Sequence, residues 1–111
     1  MSKNKGFSGT SASRYSLALY ELAEENNSIQ EVEQHTLSII KLISDSVDFN
    51  SFIKDPTSKK EEQFKVIIEI SEKYKLNSLL KKFLSFLISK RRFFYVEKIL
   101  KDFIKKNKKK R

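Results

Sequence analysis

Turn-forming residues are scarce in this chain, whose 111 residues contain only two glycines and one proline. Both glycines, Gly6 and Gly9, lie near the N-terminus, so Pro56 alone punctuates the rest of the sequence. A β-rich domain needs glycine and related residues at its tight turns, whereas helices can be joined through Asn, Ser and Asp. The scarcity therefore favours an all-α fold, and the length suffices for one hydrophobic core.

Apolar residues recur at helical spacing in six segments, and two serines, Ser28 and Ser58, precede a glutamate at the spacing of a capping box. The predicted helices cover 13–26, 28–45, 48–54, 59–74, a segment that begins at 77 or 78, and 93–104. A break near 89–92 separates the last two, because their apolar stripes differ by about 150° in direction. The sequence thus predicts a compact six-helix bundle over 13–106, after a flexible tail (1–12) and before a basic junction (107–111).

The first and fifth helices carry more apolar surface than one buried face requires. In each of them the apolar residues cover roughly 200° of the helix surface, whereas a stripe of about 100° is enough to face a core. Each helix could be surrounded by other helices of the same domain. Alternatively, if the two helices are adjacent, their extra flanks form a groove for an amphipathic helix of another protein.

Residues suited to catalysis are few. The chain has no cysteine and one histidine, His35, which falls on the flank of the second helix away from its main apolar stripe and is interpreted as a surface or boundary residue. No metal-binding spacing, nucleophile–base set or phosphate-binding glycine loop is present. We therefore expect a protein that is not an enzyme and that has no catalytic, cofactor-binding or metal-binding residues. No apolar run approaches the ~20 residues of a membrane span either.

Positive charge is concentrated in the second half of the chain. Residues 1–53 hold 4 basic and 7 acidic side chains, whereas residues 54–111 hold 19 basic and 7 acidic ones. This asymmetry leaves a Lys-rich nucleic-acid-binding module as an alternative function. Against that alternative, the basic residues comprise 19 lysines and only 4 arginines, and the aromatic residues have core spacing. Nucleic acid is therefore not the expected partner.

Four segments together resemble the delta subunit of F-type ATP synthases, which is called the oligomycin sensitivity conferral protein in mitochondria. The segment 14–23 resembles R-Y-A-x-A-L-[FY]-x-L-A, and 83–93 is similar to F-L-x-x-L-x-x-x-x-R-[LF]. The pairs Phe52-Ile53 before Pro56 and Ile99 before Phe103 are similar to the third and closing helices of that family. The sequence departs from the pattern at Ser16, where alanine is usual, and at Lys82, where asparagine is common.

The resemblance implies a six-helix domain of the peripheral stalk, the stator that holds the catalytic head against the torque of the rotor. In that family this domain binds the N-terminal helices of alpha subunits between its first and fifth helices. A C-terminal domain, absent from this chain, would bind the b subunits. The absence of a transit segment favours a bacterial origin, so we expect a peripheral, non-spanning protein on the cytoplasmic face of the inner membrane. No cofactor is expected.

Eight residues are predicted to contact the alpha-subunit helix. Ala18 is expected to let the partner backbone approach closely, and Phe86 is expected to supply an anchor at the edge of the apolar arc. The full set comprises Tyr15, Ala18, Leu19 and Leu22 of the first helix, and Leu79, Phe83, Phe86 and Leu87 of the fifth.

Overall fold

The computed structural model describes residues 9–110, with side chains described for residues 12–108. Within this part of the chain the structure consists of six α-helices and one 3-10 turn, Phe93–Tyr95, and contains no strand. The helices are α1 (Gly9–Glu25), α2 (Ile29–Asp45), α3 (Val47–Lys54), α4 (Lys60–Tyr74), α5 (Ser78–Ser89) and α6 (Val96–Lys110). The predicted six-helix, all-α fold is confirmed, and so is the break between the last two helices.

The first and last helices extend further than the sequence predicted. Helix α1 begins at Gly9, and Ala12 in its first turns is fully buried, so residues 9–12 are helical rather than part of a flexible tail. Residues 1–8 lie outside the described part. At the other end α6 continues to Lys110 with Asn107 almost completely buried. The segment predicted as a basic junction therefore begins inside the last helix, and Arg111 lies outside the described residues.

Neither predicted capping box forms. Ser28 occupies the N-cap of α2, but its side chain makes no capping hydrogen bond. Ser58 lies one residue before the N-cap of α4, and its hydroxyl donates to the carbonyl of Phe52 at 3.2 Å. The Ser58 hydroxyl thus closes the turn after α3. Two other helices do have side-chain caps: Ser46 at α3 accepts from the amide of Phe49, and Asn77 caps α5.

The turn after α3 is stabilised by a carboxylate. Asp55 Oδ1 accepts from the Thr57 amide at 2.9 Å and from its hydroxyl at 2.6 Å. These two bonds favour the ionised form, and they lower the pKa of Asp55, the hydroxyl being the larger cause. Helix α3 ends at Lys54, as expected from the proline two residues later.

Within the described part of the chain, three helices are followed by a left-handed residue that is not glycine. Asn27, Lys75 and Arg91 have φ values of 54°, 53° and 60° and follow α1, α4 and α5. In each case the next amide bonds back to a carbonyl of the last helical turn, as in a Schellman motif. Glycine usually occupies this position, and the chain has none beyond Gly9.

A single hydrophobic core is centred on the contact of α1 with α6, which is the most extensive in the fold. One flank of α1 faces this core through Ala12, Leu19 and Ala23, which are fully buried. Tyr20 packs against Phe103 of α6 with ring centroids 6.5 Å apart. This arrangement leaves another flank of α1 free to face α5.

Candidate functional site

An open, mostly apolar cleft lies between α1 and α5. Its volume is about 510 Å³. Tyr15 contacts Phe86 at one end, with ring centroids 6.0 Å apart, and Asn26 lies near Ser78 at the other end. The two helices therefore run antiparallel along the cleft. We call it the α1–α5 groove, and its lining residues are Ala18, Leu22, Asn26, Ser78, Leu79, Lys82, Phe83 and Phe86.

The α1 wall of the groove is a single stripe with a four-residue step. Ala18, Leu22 and Asn26 follow one another at this step, which places them on one face of the helix. Ala18 is exposed and small, and Leu22 is 43% exposed. The Asn26 side chain donates to the carbonyl of Leu22 at 2.9 Å and closes the last turn of α1. A small residue beside a half-exposed leucine gives this wall room for another backbone.

The α5 wall has a deep part and a raised edge. Phe83 is 5% exposed and Leu79 is partly buried, so these two form the floor. Lys82 and Phe86 are exposed, and Phe86 retains 45% of its accessible surface. The ammonium of Lys90 lies 5.7 Å from the centroid of the Phe86 ring, which is within cation–π distance. An aromatic ring thus stands exposed beside an apolar floor.

The start of α5, which forms one end of the groove, is fixed by a polar network. Asn77 Oδ1 accepts from the amides of Leu79 and Leu80, and its Nδ2 donates to Glu31 at 2.9 Å. The Asn77 amide donates to Nδ1 of His35 at 2.8 Å. His35 is half-buried and joins α2 to the beginning of α5, consistent with its interpretation as a boundary residue. The histidine therefore positions one end of the groove.

The structure brings together most, but not all, of the eight residues predicted to contact a partner. Five of them line the groove: Ala18, Leu22, Leu79, Phe83 and Phe86. Tyr15 is partly buried and packs on Phe86 at the end of the groove.

Leu19 and Leu87 belong instead to the hydrophobic core, where both are completely buried. Each follows a groove residue in sequence, and one helical step of 100° turns its side chain inward. The proposed contact surface therefore excludes these two leucines.

Sequence analysis missed three groove residues: Asn26, Ser78 and Lys82. Ser78 and Lys82 lie eight and four residues before Phe86, and Asn26 lies four residues after Leu22. A spacing of four or eight residues from Leu22 or Phe86 could therefore have identified these three polar residues. A search restricted to apolar side chains does not include them.

Other site types are not indicated by the described residues. Among them, no group of three or more His, Cys, Asp or Glu side chains is arranged to hold a metal ion. Within the same part of the chain, no helix combines the length and the apolar character needed to cross a membrane.

Comparison with known proteins points to one family. The model of the ATP synthase delta (OSCP) subunit matches residues 12–111. The ATP synthase subunit delta of Pelagibacter ubique (strain HTCC1062) is 69% identical over 104 residues, covering 94% of this chain and 56% of that protein. The subunit delta of Clostridium botulinum (strain Loch Maree / Type A3) is 39% identical over 92 residues, covering 80% of this chain and 49% of that protein. The chain spans about half the length of these relatives.

Proposed function

This chain belongs to the ATP synthase delta (OSCP) subunit family, and we propose that it is a non-catalytic part of the stator. In this proposal the α1–α5 groove binds the amphipathic N-terminal helix of an alpha subunit and connects the peripheral stalk to the catalytic head. The observation that carries the proposal is the exposure of Leu22 and Phe86, 43% and 45%, on opposite walls of one apolar cleft.

The shape of the groove supports a helix as its occupant. From Tyr15 to Asn26 the α1 wall rises by about 16 Å, which corresponds to three turns of a helix. Over that distance a bound helix presents anchors at positions i, i+4, i+7 and i+11 on one face. Ala18 lets the backbone of such a helix come close, and Phe86 with Leu22 supplies apolar contact on either side. Aromatic anchors next to buried floors are typical of residues that dominate binding energy.

Two wider parts of the proposal rest on family membership alone. We propose that the full-length protein contacts the b subunits through a C-terminal domain. We also propose that it is held peripherally at the cytoplasmic face of a bacterial inner membrane as part of the synthase. Both concern the assembled complex, and they are independent of which residues line the groove.

The test is a titration of a fluorescently labelled peptide with the alpha-subunit N-terminal sequence of the same organism. Ala18→Asp places a carboxylate where the backbone of the bound helix is expected to approach α1, and Phe86→Asp removes the aromatic anchor. Each is expected to weaken binding at least tenfold, because a buried unpaired carboxylate and a lost aromatic contact each cost over ~1.4 kcal/mol.

Leu37→Asp is the matched control, because Leu37 is similarly exposed, at 46%, but lies on α2 outside the groove. Its affinity for the peptide should equal that of the wild type. Circular dichroism establishes that each variant is folded. Unchanged binding by folded Ala18→Asp and Phe86→Asp would reject this groove as the docking site.

The nucleic-acid alternative is separated in the same experiment. It requires measurable affinity for generic duplex DNA that falls steeply as salt is raised, because phosphate contacts release counterions. The stator proposal requires instead that duplex DNA leaves peptide binding unchanged.

A further inference from the structure

The two edges of the α1–α5 groove carry opposite charges. On the α5 side the edge is formed by Ser78, Lys82 and Phe86 at four-residue steps, and we call it the α5 lip. Lys82 is exposed and lines the groove. Among the described residues, no ion pair involves Lys82. Its ammonium is therefore available to a carboxylate on whatever occupies the groove.

The edge on the α1 side is acidic at Glu21 and Glu25, and the exposed Arg14 lies two turns earlier on the same stripe, before the Tyr15 end of the groove. Glu21 and Glu25 follow Ala18 and Leu22 by three residues, so each lies about 60° further round the helix, away from the core-facing flank. We call this pair the α1 lip. Both glutamates are exposed, and no ion pair within the described part of the chain includes either one.

Lys82 and Glu21 lie within one helical turn of each other along the groove. The antiparallel helices place Tyr15 beside Phe86, so Lys82, four residues before Phe86, lies across from Leu19. Glu21 follows Leu19 by two residues, which is about 3 Å along the helix. A helix bound in the groove would lie between the two lips, with one of its edges along each lip.

We infer that the charges of the two lips fix the direction in which the bound helix lies, with its acidic edge along the α5 lip and its basic edge along the α1 lip. The inference rests on the proposed function, since it requires a helix in this groove. Turning an amphipathic helix end for end while its apolar face stays down exchanges its left and right edges. A helix with one acidic and one basic edge can therefore satisfy both lips in one direction only.

The probes are two designed 18-residue peptides with the same apolar face and the same composition. In the first peptide one edge is glutamate and the other is lysine, and in the second peptide these edges are exchanged. Each carries a nitroxide at its N-terminus, which broadens nearby amide NMR signals of the protein. The two ends of the groove lie near Tyr15 and near Asn26. The first peptide should broaden signals at one of these ends, and the second peptide should broaden signals at the opposite end.

Variants of the lips provide the second readout. Lys82→Glu combined with Glu21→Lys and Glu25→Lys exchanges the lip charges and should reverse the direction of each peptide. Lys82→Met alone should lower the affinity for either peptide by about threefold, which is the usual effect of losing one partly exposed ion pair. Lys81→Met is the matched control, because Lys81 is also exposed but does not line the groove, and it should leave both affinities unchanged.

The possible failures are distinct. If both peptides broaden the same end of the groove, and Lys82→Glu with Glu21→Lys and Glu25→Lys changes nothing, apolar contacts alone set the direction and the inference is overturned while helix binding stands. If neither these peptides nor the alpha-subunit peptide binds in the groove, the proposed function fails and the inference fails with it.

Discussion

Helix α1 meets two neighbours in different ways. Its flank of Ala12, Leu19 and Ala23, here called the sealed flank, is fully buried in the core that α1 shares with α6. Its flank of Ala18, Leu22 and Asn26, here called the open flank, faces α5 across the groove. The two flanks have similar apolar character in the sequence, yet only one is covered. Apolar excess on a helix therefore does not by itself distinguish an open flank from a sealed one.

The largest expected contrast comes from the same substitution on each flank. Leu19→Ala removes a completely buried side chain and should lower the free energy of unfolding by about 3 kcal/mol. Leu22→Ala removes a side chain that is 43% exposed and should lower it by less than about 1 kcal/mol. Urea denaturation followed by circular dichroism measures both values.

Binding should show the reverse order. Leu22→Ala is expected to lower the affinity for the alpha-subunit peptide. Folded Leu19→Ala is expected to retain the wild-type affinity, because Leu19 lies outside the groove. Equal losses of stability in the two variants would mean that the open flank is covered in solution, which would break the comparison.

The next effect concerns the polar end of the groove. Asn77→Ala removes the cap of α5 and the bond to Glu31, and should lower the free energy of unfolding by about 1–2 kcal/mol. Asn77→Ala should also lower the affinity for the alpha-subunit peptide, because the first turn of α5 carries the groove residues Ser78 and Leu79.

Ser46→Ala is the matched control for the cap, because Ser46 accepts from the Phe49 amide at 3.1 Å at the start of α3. It should lower the free energy of unfolding by about 1 kcal/mol without any change in peptide affinity. If both cap variants weakened the peptide equally, overall stability rather than the end of the groove would explain the loss.

Much of this architecture was accessible from the sequence. Helical spacing gave six helices in the right order, and the change of apolar phase after residue 88 located the break that the structure has at 90–92. These features depend on local periodicity, which the sequence contains directly. The groove itself was accessible as an excess on two helices, because Ala18, Leu22 and Phe86 widen the apolar arcs beyond one face.

What the sequence could not give depends on neighbours. Leu19 and Ala18 are adjacent in sequence, but Leu19 faces the core that α1 shares with α6, whereas Ala18 faces the open space between α1 and α5. Ser58 has a capping-box partner at the right spacing, but the carbonyl of Phe52 offers its hydroxyl a competing acceptor. The bond from Asn77 to His35 spans 42 residues and has no local signature.

A smaller effect tests whether an ion pair between α3 and α6, away from the groove, contributes to the free energy of unfolding. Glu97 of α6 pairs with Lys54 of α3 at 3.0 Å and with Lys101 at 3.2 Å. The hydrogen bond from Lys54 is the largest cause of the lowered pKa of Glu97. Glu97→Gln should lower the free energy of unfolding by about 0.5 kcal/mol at pH 7, because both lysines are more than half exposed.

The effect of Glu97→Gln should depend on pH in a defined direction. Since the folded carboxylate has the lower pKa, its stabilisation is present above the unfolded-state pKa of about 4.3 and is lost as the pH falls through the folded-state value. Asp45→Asn removes the more exposed Lys41–Asp45 pair and serves as the control, with a smaller change expected. A pH-independent loss in Glu97→Gln would assign the role of Glu97 to packing on α3.

A change of similar size separates stability from docking. Lys75 is exposed and left-handed, with φ 53° and ψ 54°, a conformation that a Cβ atom disfavours. Lys75→Gly should raise the free energy of unfolding by about 0.5 kcal/mol, since relief of this strain exceeds the added entropy of glycine in the unfolded chain. Lys73→Gly, in the last helical turn of α4, should lower it by about 0.5–1 kcal/mol.

Neither Lys75 nor Lys73 lines the groove, so peptide affinity should be the same in both variants although their stabilities move in opposite directions. That result would show that affinity does not follow global stability, and weaker binding by Leu22→Ala could then be attributed to the open flank itself. A parallel change of affinity and stability would instead mean that the open flank is shaped by the same packing that closes the sealed one.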